Sequence, residues 1–423
     1  MATQTGYKES ELGMIPQDWD IVEFEEICQI RKQKVNPLFQ SGEFCVELEH
    51  LEPETGLLLG NTVTKPNSSI KTVFQNGDVL FGKLRAYLRK YWLANQDGVC
   101  STEIWAFVAT NKAINTFLFY VVQTEQFIKA ASEAYGTHMP RSDWNVVKNY
   151  LLPLPPLPEQ TAIATALSDT DALISSLQKL IAKKKAIKLS AMQNLLNGEI
   201  RLPEFAQRTD GSLKTTRQTE LGCVPEDWEM VELEKVAEIK SGGTPSTNRS
   251  EFWNGHILWC TPTDITSLSG KYLSDTNRKI TEMGLNNSAA ELLPIGSVLM
   301  TSRATIGECA IVKRPMTTNQ GFKNFICNRT VNNEFLYYLL SSQKDKFIEL
   351  CNGSTFLEIS TTQVRKFKIT IPKSTTEQTA IAQLLSDMDA EIESLECRLK
   401  KTQALKQGMM QTLLTGKIRL PLE

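Results

Sequence analysis

The sequence predicts an α+β fold: two similar α/β domains tied together by two long helices that pair along a seam. Three observations carry this. The stretch from Glu159 to Pro203 recurs from Glu377 to Pro421 at a constant offset of 218 residues. A shorter motif, Glu11 to Val22, recurs from Glu220 to Val231 at an offset of 209. Between them lie two bodies of unlike sequence, the second nine residues longer than the first. A whole module is therefore duplicated, with matched ends around different middles.

Each repeated stretch reads as one long helix with an apolar seam. Steps of four and three pass through Ile163, Leu167, Thr170, Ile174, Leu177, Ile181, Lys184, Lys188, Ala191 and Leu195. The second copy gives Ile381, Leu385, Met388, Ile392, Leu395, Leu399, Thr402, Lys406, Met409 and Leu413. A 3.5-residue repeat held for about five heptads favours a coiled coil over an ordinary surface helix. At 1.5 Å per residue such a helix spans about 60 Å. Asn197-Gly198 and Thr415-Gly416 supply the stops, because glycine accepts the left-handed conformation of a helix C-terminus. Pro158 fits the first turn of the first copy, and Thr375 or Thr376 can cap the second. One seam needs another, and the simplest partner for each helix is its own copy. The interruptions Lys184/Thr402 and Lys188/Lys406 stand at matched positions, so the rod is expected to open there to a partner.

In chain order, residues 1–10 read as a loose tail of a first domain over 1–157. The first long helix follows over 158–203, then a polar linker over 204–218. A second domain occupies 219–374 and the second long helix 375–423. In the first body, Val79-Leu80-Phe81 after Asn76-Gly77-Asp78 reads as a strand leaving a turn, and Ile104 to Val108 as another. Phe117 to Ala134 reads as a helix. The second body repeats the order with Ile295 to Met300, Asn324 to Cys327 and a helix over Phe335 to Leu350. The Pro-rich Leu151 to Pro158 is a stiff extended lead into the first helix.

Composition narrows the function. With 46 Lys and Arg against 48 Asp and Glu there is no global basic character. A nucleic-acid role then requires local patches. Residues 20–150 hold 13 basic against 15 acidic side chains and residues 232–370 hold 16 against 13, so placement must supply any affinity. Nine scattered cysteines, with no C-x-x-C, fit reduced thiols in a cytoplasmic protein. Three histidines (His50, His138, His256) make a His-rich metal site improbable. No apolar run is long enough to span a bilayer. The phosphate-loop, dinucleotide, zinc-peptidase and adenine-methyltransferase signatures are absent together, which favours binding over catalysis. No catalytic or metal residue is expected.

The candidate DNA-binding residues fall in loops. In the first body the densest basic-aromatic stretch holds Lys83, Arg85, Tyr87, Arg89 and Lys90, with Ser101 and Thr102 nearby and Thr137 and Arg141 further on. Cations there suit phosphates, and an arginine fork suits a guanine edge. The same stretch also fits a charged hairpin with its aromatics in the core. In the second body the matching residues are Ser302, Arg303 and Thr305, then Thr318, Asn319, Gln320 and Lys323. Asn and Gln suit adenine, and Lys suits phosphate or guanine; Thr-Asn-Gln-Gly is equally a turn. Ser241, Gly243 and Thr244 form a tight loop whose amides can face phosphate, and Ser354 and Thr355 complete the set. Lys183, Lys184, Lys185 and Lys188 read as a solvated helix face, with a track for a phosphate backbone or a face for an acidic partner as the alternatives.

Together these parts resemble the specificity subunit of type I restriction–modification enzymes across essentially the whole chain. The resemblance rests on Pro16-x-Asp18-Trp19 and Pro225-x-Asp227-Trp228, Pro-Leu-Pro-Glu-Gln ahead of the first helix, and the paired Leu-Leu-x-Gly-x-Ile-Arg-Leu exits. Gly77 to Phe81 with Gly98 to Glu103 looks like the family's recognition core, as do Ser302 to Gly307 with Thr318 to Lys323. The second copy lacks the Pro-rich lead-in, having Pro372-Lys373-Ser374 instead.

The resemblance implies two pseudo-symmetric target-recognition domains separated by an antiparallel coiled coil. It implies a non-catalytic subunit of which each domain reads half of a bipartite site on double-stranded DNA. Two methyltransferase subunits would dock on the helices and methylate a flipped adenine. S-adenosylmethionine would be bound by those subunits, with no cofactor on this chain, and translocase–nuclease subunits can join. A rod between two readers predicts two short specific blocks about one helical turn apart, about 10–10.5 bp centre to centre. The alternatives are a coiled-coil scaffold with protein-binding ends and a nuclease or methyltransferase fragment.

Overall fold

A computed structural model describes residues 6–36, 42–66, 69–133, 140–351 and 357–421. The chain forms two compact units, residues 1–178 with 398–423, and residues 179–397. The long helices are therefore not a separate domain. The first runs over Leu157–Leu196 and the second over Thr375–Leu413, and each unit contains a segment of both. Ser374 precedes the second helix, so Thr375 and Thr376 lie inside it rather than capping it. Among the described residues no helix is long and apolar enough to cross a membrane.

The first unit opens on a hairpin, Tyr7–Ser10 against Gly13–Pro16, where a loose tail was expected. The Tyr7 hydroxyl donates to the Gly416 carbonyl at 3.1 Å, which ties the strand down. The central sheet has the order Tyr91–Leu93, Val79–Gly82, Ile104–Ala109, Cys28–Ile30, all antiparallel. A five-stranded sheet packs beside it, around Phe74, Trp92 and Ile104. Leu151–Leu154, the expected stiff connector, pairs with Asp20–Glu23 as a two-stranded ladder, where Pro153 is tolerated.

The second unit repeats this plan with its own additions. Its main sheet has the order Ala237–Ser241, Phe322–Cys327, Val298–Thr301, Cys309–Val312, Tyr272–Leu273. A three-stranded sheet lies beside it, and Trp228–Glu232 pairs with Lys368–Pro372. The ladders superpose by register: Trp105 lies opposite Phe81 in one body as Lys323 lies opposite Met300 in the other. The expected linker is partly ordered, with a helical turn at Pro203–Ala206 and a hairpin of Thr216–Thr219 with Gly222–Pro225.

Each expected body helix is two. Asn115–Val121 gives way to Glu125–Ser132 because Thr124 turns the chain and accepts a hydrogen bond from the Phe127 amide at 3.3 Å. In the second body the break separates Asn333–Ser342 from Lys344–Glu349. The breaks let Phe117, Leu118 and Ile128, and likewise Phe335, Leu336 and Phe347, enter the same cores from different directions.

Along both long helices every seam position is buried or half-buried. In the second unit the cross-helix pairs Lys184–Glu391 (2.7 Å) and Lys188–Asp389 show the two helices running antiparallel. The lysines that interrupt the seam do not open it. Lys188 pairs with Asp389, which accepts from the Tyr338 hydroxyl at 2.7 Å, and the ammonium lies 5.6 Å from that ring's centre. The first unit has the same triad: Lys406 with Asp171 at 2.7 Å, Tyr120 donating to Asp171 at 2.9 Å, and again 5.6 Å from cation to ring. Thr402 satisfies its hydroxyl on the Arg398 carbonyl.

The repeat ends close each unit. Arg419 holds Glu159 (3.0 and 2.7 Å) and Asp18 (2.9 and 2.8 Å) in two bidentate forks. Trp19 donates to the same Glu159 at 2.9 Å. Arg201 does the same for Glu377 (2.9 and 2.6 Å) and Asp227 (2.8 and 3.1 Å), with Trp228 donating to Glu377 at 3.4 Å. Gly198 and Gly416, in the left-handed region at φ 77° and 71°, lie against Pro225 and Pro16, where a Cβ would come within 2.6 and 2.4 Å of the ring. Gln160 and Gln378 bind the body to the helix start: each donates to two backbone carbonyls and accepts from an amide, that of Ile114 or Asn332.

Two outcomes follow. Arg201 and Glu377 have side chains only 8% and 3% exposed. Arg201→Met should therefore destabilise the second unit by about 3 kcal/mol, the cost of stranding a buried carboxylate. The more open Arg419→Met should cost its unit less, and denaturant unfolding followed by tryptophan fluorescence compares the two. The second outcome concerns acid. Burial alone would raise the Asp227 carboxyl, but hydrogen bonds from Arg201 and Lys214 bring it below the usual range. The hydrogen bond from Arg419 lowers Asp18 similarly. Groups depressed on folding stabilise above their unfolded pKa, and that contribution is lost as pH falls through the folded value. Stability should thus fall below about pH 4, and Asp227→Asn should flatten part of that acid limb in pH-dependent melting.

Candidate nucleic-acid interface

The candidate residues of the first body gather on the loop between Val79–Gly82 and Tyr91–Leu93. Its tip is a single 3₁₀ turn, Ala86–Leu88, flanked by Arg85 and Arg89 in the left-handed region at φ 55° and 52°. Non-glycine residues reach this region at a cost and persist there only when the surroundings over-determine them. Here the surroundings are backbone bonds: Arg85 N to Pro140 O at 2.9 Å and Ser142 N to Lys83 O at 2.9 Å. The second body turns the same way, with Ala304 at φ 57° in the equivalent position and Ile359 N bonded to Ser302 O.

The side chains divide into free and engaged. Arg85 is exposed, Tyr87 is 53% exposed, and Lys83 is half-buried; none has a side-chain hydrogen bond among the described residues. Arg89 pairs with Glu125, Lys90 donates to the Leu48 carbonyl at 2.6 Å, and Arg141 pairs with Glu103 at 2.9 Å. Glu103 holds the Arg141 guanidinium above its ordinary pKa. Ser101 accepts from the Glu103 amide at 3.3 Å, in the turn that also contains the half-buried Thr102. Thr137 and His138 lie outside the described residues.

In the second body several candidates prove internal. Gly243 is a correction: its amide donates to the Thr318 carbonyl at 2.9 Å and its carbonyl accepts from Trp259 Nε1 at 2.9 Å, so it is not free for phosphate. Thr318 is buried and accepts from Asn324 at 2.8 Å. Asn319 folds onto the Gly321 amide at 2.9 Å, an Asx turn that leaves the loop surface to Gln320 and Thr244, themselves hydrogen-bonded. Ser241 shares its hydroxyl with Thr361 at 3.1 Å. Arg303 is exposed and pairs with Glu358 at 2.9 Å. Ser302, Thr305 and Lys323 line the inner side of this edge; burial lowers the Lys323 pKa. Ser354 and Thr355 lie outside the described residues.

The sequence did not pair Arg141, Arg89 and Arg303 with Glu103, Glu125 and Glu358, because nothing local marks which carboxylate meets which arginine. It also missed Arg278, whose guanidinium stacks 3.8 Å from the centre of the Trp253 ring.

The family model of the type I restriction modification DNA specificity domain matches the chain twice, over residues 16–188 and 225–403. The chain belongs to this family. Those spans contain both candidate edges and the start of each long helix. The chain is 28% identical over 433 residues to the type I restriction enzyme MjaVIII specificity subunit of Methanocaldococcus jannaschii, covering 99% of this chain and 97% of that one. It is 38% identical over 180 residues to the MjaIX specificity subunit of the same organism, 42% of this chain and 41% of that one. A solved chain from work on complex assembly and conformational transition of the type I R-M system is similar at a TM-score of 0.59, 19% identity, with 96% and 99% covered. The type I S subunit of M. genitalium gives 0.56 at 15% identity, with 94% and 96% covered. These last two speak to fold alone.

As a type I specificity subunit, the chain carries two edges of one topology and different chemistry. Gly243 also sets a limit on how they can vary. A Cβ there would fall 2.4 Å from the backbone of Ala289 and Ala290. Gly243→Ala should destabilise the second body by about 1–3 kcal/mol, seen as a lower thermal midpoint.

Proposed function

We propose that each body reads one half of a bipartite site on double-stranded DNA. On this reading the long helices set the spacer between the halves. They also dock two methyltransferase subunits, which bind S-adenosylmethionine and methylate an adenine in each half-site. Translocase–nuclease subunits join the same assembly to act on unmodified DNA. The chain itself contributes recognition and no catalytic group.

The supporting observation is the duplicated specificity-domain match combined with divergent side chains at equivalent ladder positions. A common frame with different edge chemistry is what two readers of different sequence need, since base contacts specify while phosphate contacts only position. Arg85, Tyr87 and Lys83 in the first body, and Arg303, Gln320 and Lys323 in the second, are the side chains best placed to differ between targets. The local ion pairs keep either edge from being strongly basic, so affinity depends on fit as well as charge.

Methylome mapping of cells carrying this subunit with its methyltransferase tests the reading. Two short blocks around an unread spacer, with an adenine modified in each, are expected. Methylation without a bipartite motif would overturn it. Deleting seven residues from both long helices keeps the seam and should change spacer length while leaving both blocks intact. An unchanged spacer would sink the ruler.

A further inference from the structure

The two bodies differ most sharply at the ladder position of Trp105 and Lys323. In the first body Trp105 fills it, with ring centres 6.5 Å from Phe81, 5.7 Å from Phe107 and 6.0 Å from Trp144. In the second body the equivalents are Lys323, Met300, Phe325 and Thr361. Thr361, like Trp144, opens the short helix after its N-cap. An aromatic stack has been exchanged for a lysine among hydroxyls.

That lysine is poorly provided for. Lys323 is 4% exposed, and its ammonium makes one hydrogen bond among the described residues, 3.3 Å to Ser241 Oγ. Three donors with one long bond is a state that burial penalises. Ser302, just past the strand Val298–Thr301, is fully buried, and its Oγ has no partner among the described residues. Thr305 Oγ1, in the same turn, has none either. Glu358 and Arg303 are within electrostatic reach of Lys323, the first favouring its charge and the second opposing it. Those two form the surface pair at 2.9 Å, each side chain more than 40% exposed. Here a buried ammonium is left with one long hydrogen bond.

We propose that Lys323 is a base-reading residue of the second body, its ammonium held by the Ser241 hydroxyl and taking the two acceptors of a guanine edge once the exposed Arg303–Glu358 pair opens. The inference rests on the DNA-reading function proposed above and names one of its contacts. Guanine fits because it offers two acceptors, O6 and N7, in the major groove, whereas adenine sets a donor beside its one acceptor. The flexible four-carbon stem lets the ammonium advance toward the groove. A phosphate contact falls more naturally to Arg303, already at the surface. The first body, with Trp105 at this position, lacks the contact.

The test uses the full chain with its methyltransferase subunits, on duplexes randomised across both half-sites at several salt concentrations. Lys323→Met should release one guanine position in one half-site to any base, with discrimination there falling about tenfold or more. The other half-site, the spacer and the salt slope should be unchanged. Ser302→Ala should weaken the same position less. An equal loss on all sequences, with the salt slope reduced by about one, marks a phosphate contact and overturns base reading. An unchanged sequence profile in a more stable protein marks a buried filler and overturns it too. Should Lys323→Met not fold, Lys323→Arg decides: an altered preference confined to one position supports the assignment, and an unaltered profile rejects it. If the wild type itself shows no sequence preference, it is the DNA-reading function that fails.

Discussion

The structure depends on one interaction used twice: the arginine at the exit of each repeat closes on the other repeat. Arg419 ends the second repeat, yet its forks hold Asp18 and Glu159 of the first. Arg201 ends the first repeat and holds Asp227 and Glu377 of the second. This crossing is why each compact unit contains one whole body and the helix end of the other repeat. Planar bidentate pairing gives the contact direction as well as energy, which an ammonium in place of the guanidinium would not provide. Tryptophan supplies the third side: Trp19 and Trp228 are fully buried and spend their only side-chain N–H on the same glutamates.

Beneath the clamp, the glutamine next to each glutamate binds the body's own backbone, and the Tyr–Asp–Lys triad binds the body's helix to both long helices. Every member of the triad is displaced by 218 residues between copies, Tyr120 to Tyr338, Asp171 to Asp389 and Lys188 to Lys406. The lysines cross over in the same way as the arginines. A cation in an apolar seam costs free energy unless paired. Here the pairing partner comes from the opposite long helix and the ring from the body, so three elements meet at one charge. A frame held by these repeated contacts leaves the candidate edge free to diverge, as the exchange of an aromatic stack for a lysine and hydroxyls illustrates.

Much of this frame was legible in the residue order. The duplication, the seam and the glycine stops are local or periodic signals, and the strands Val79–Gly82, Ile104–Ala109 and Phe322–Cys327 follow from apolar runs beside turns. The breaks in the body helices were less visible, because Thr124 caps as readily as it continues a helix. The candidate edge was legible only as a stretch. Lys83 to Lys90 stood out as basic and aromatic, but which of these side chains are engaged depends on residues far along the chain: Arg89 meets Glu125 and Lys90 meets Leu48, while Arg85 and Tyr87 make no side-chain hydrogen bond among the described residues.

The sequence alone thus determined that one module occurs twice, that two long helices share a seam, and that the two middles differ. Period and repetition survive without coordinates because they are properties of spacing. Tertiary structure decided which charges meet. Arg419 and Glu159 are 260 residues apart, and no local pattern pairs them. It turned the seam lysines from openings into ion pairs, removed the Gly243 amide from the surface, and placed Lys323 in the interior. In each case the outcome rests on burial and hydrogen-bond geometry, which exist only once distant segments share a neighbourhood.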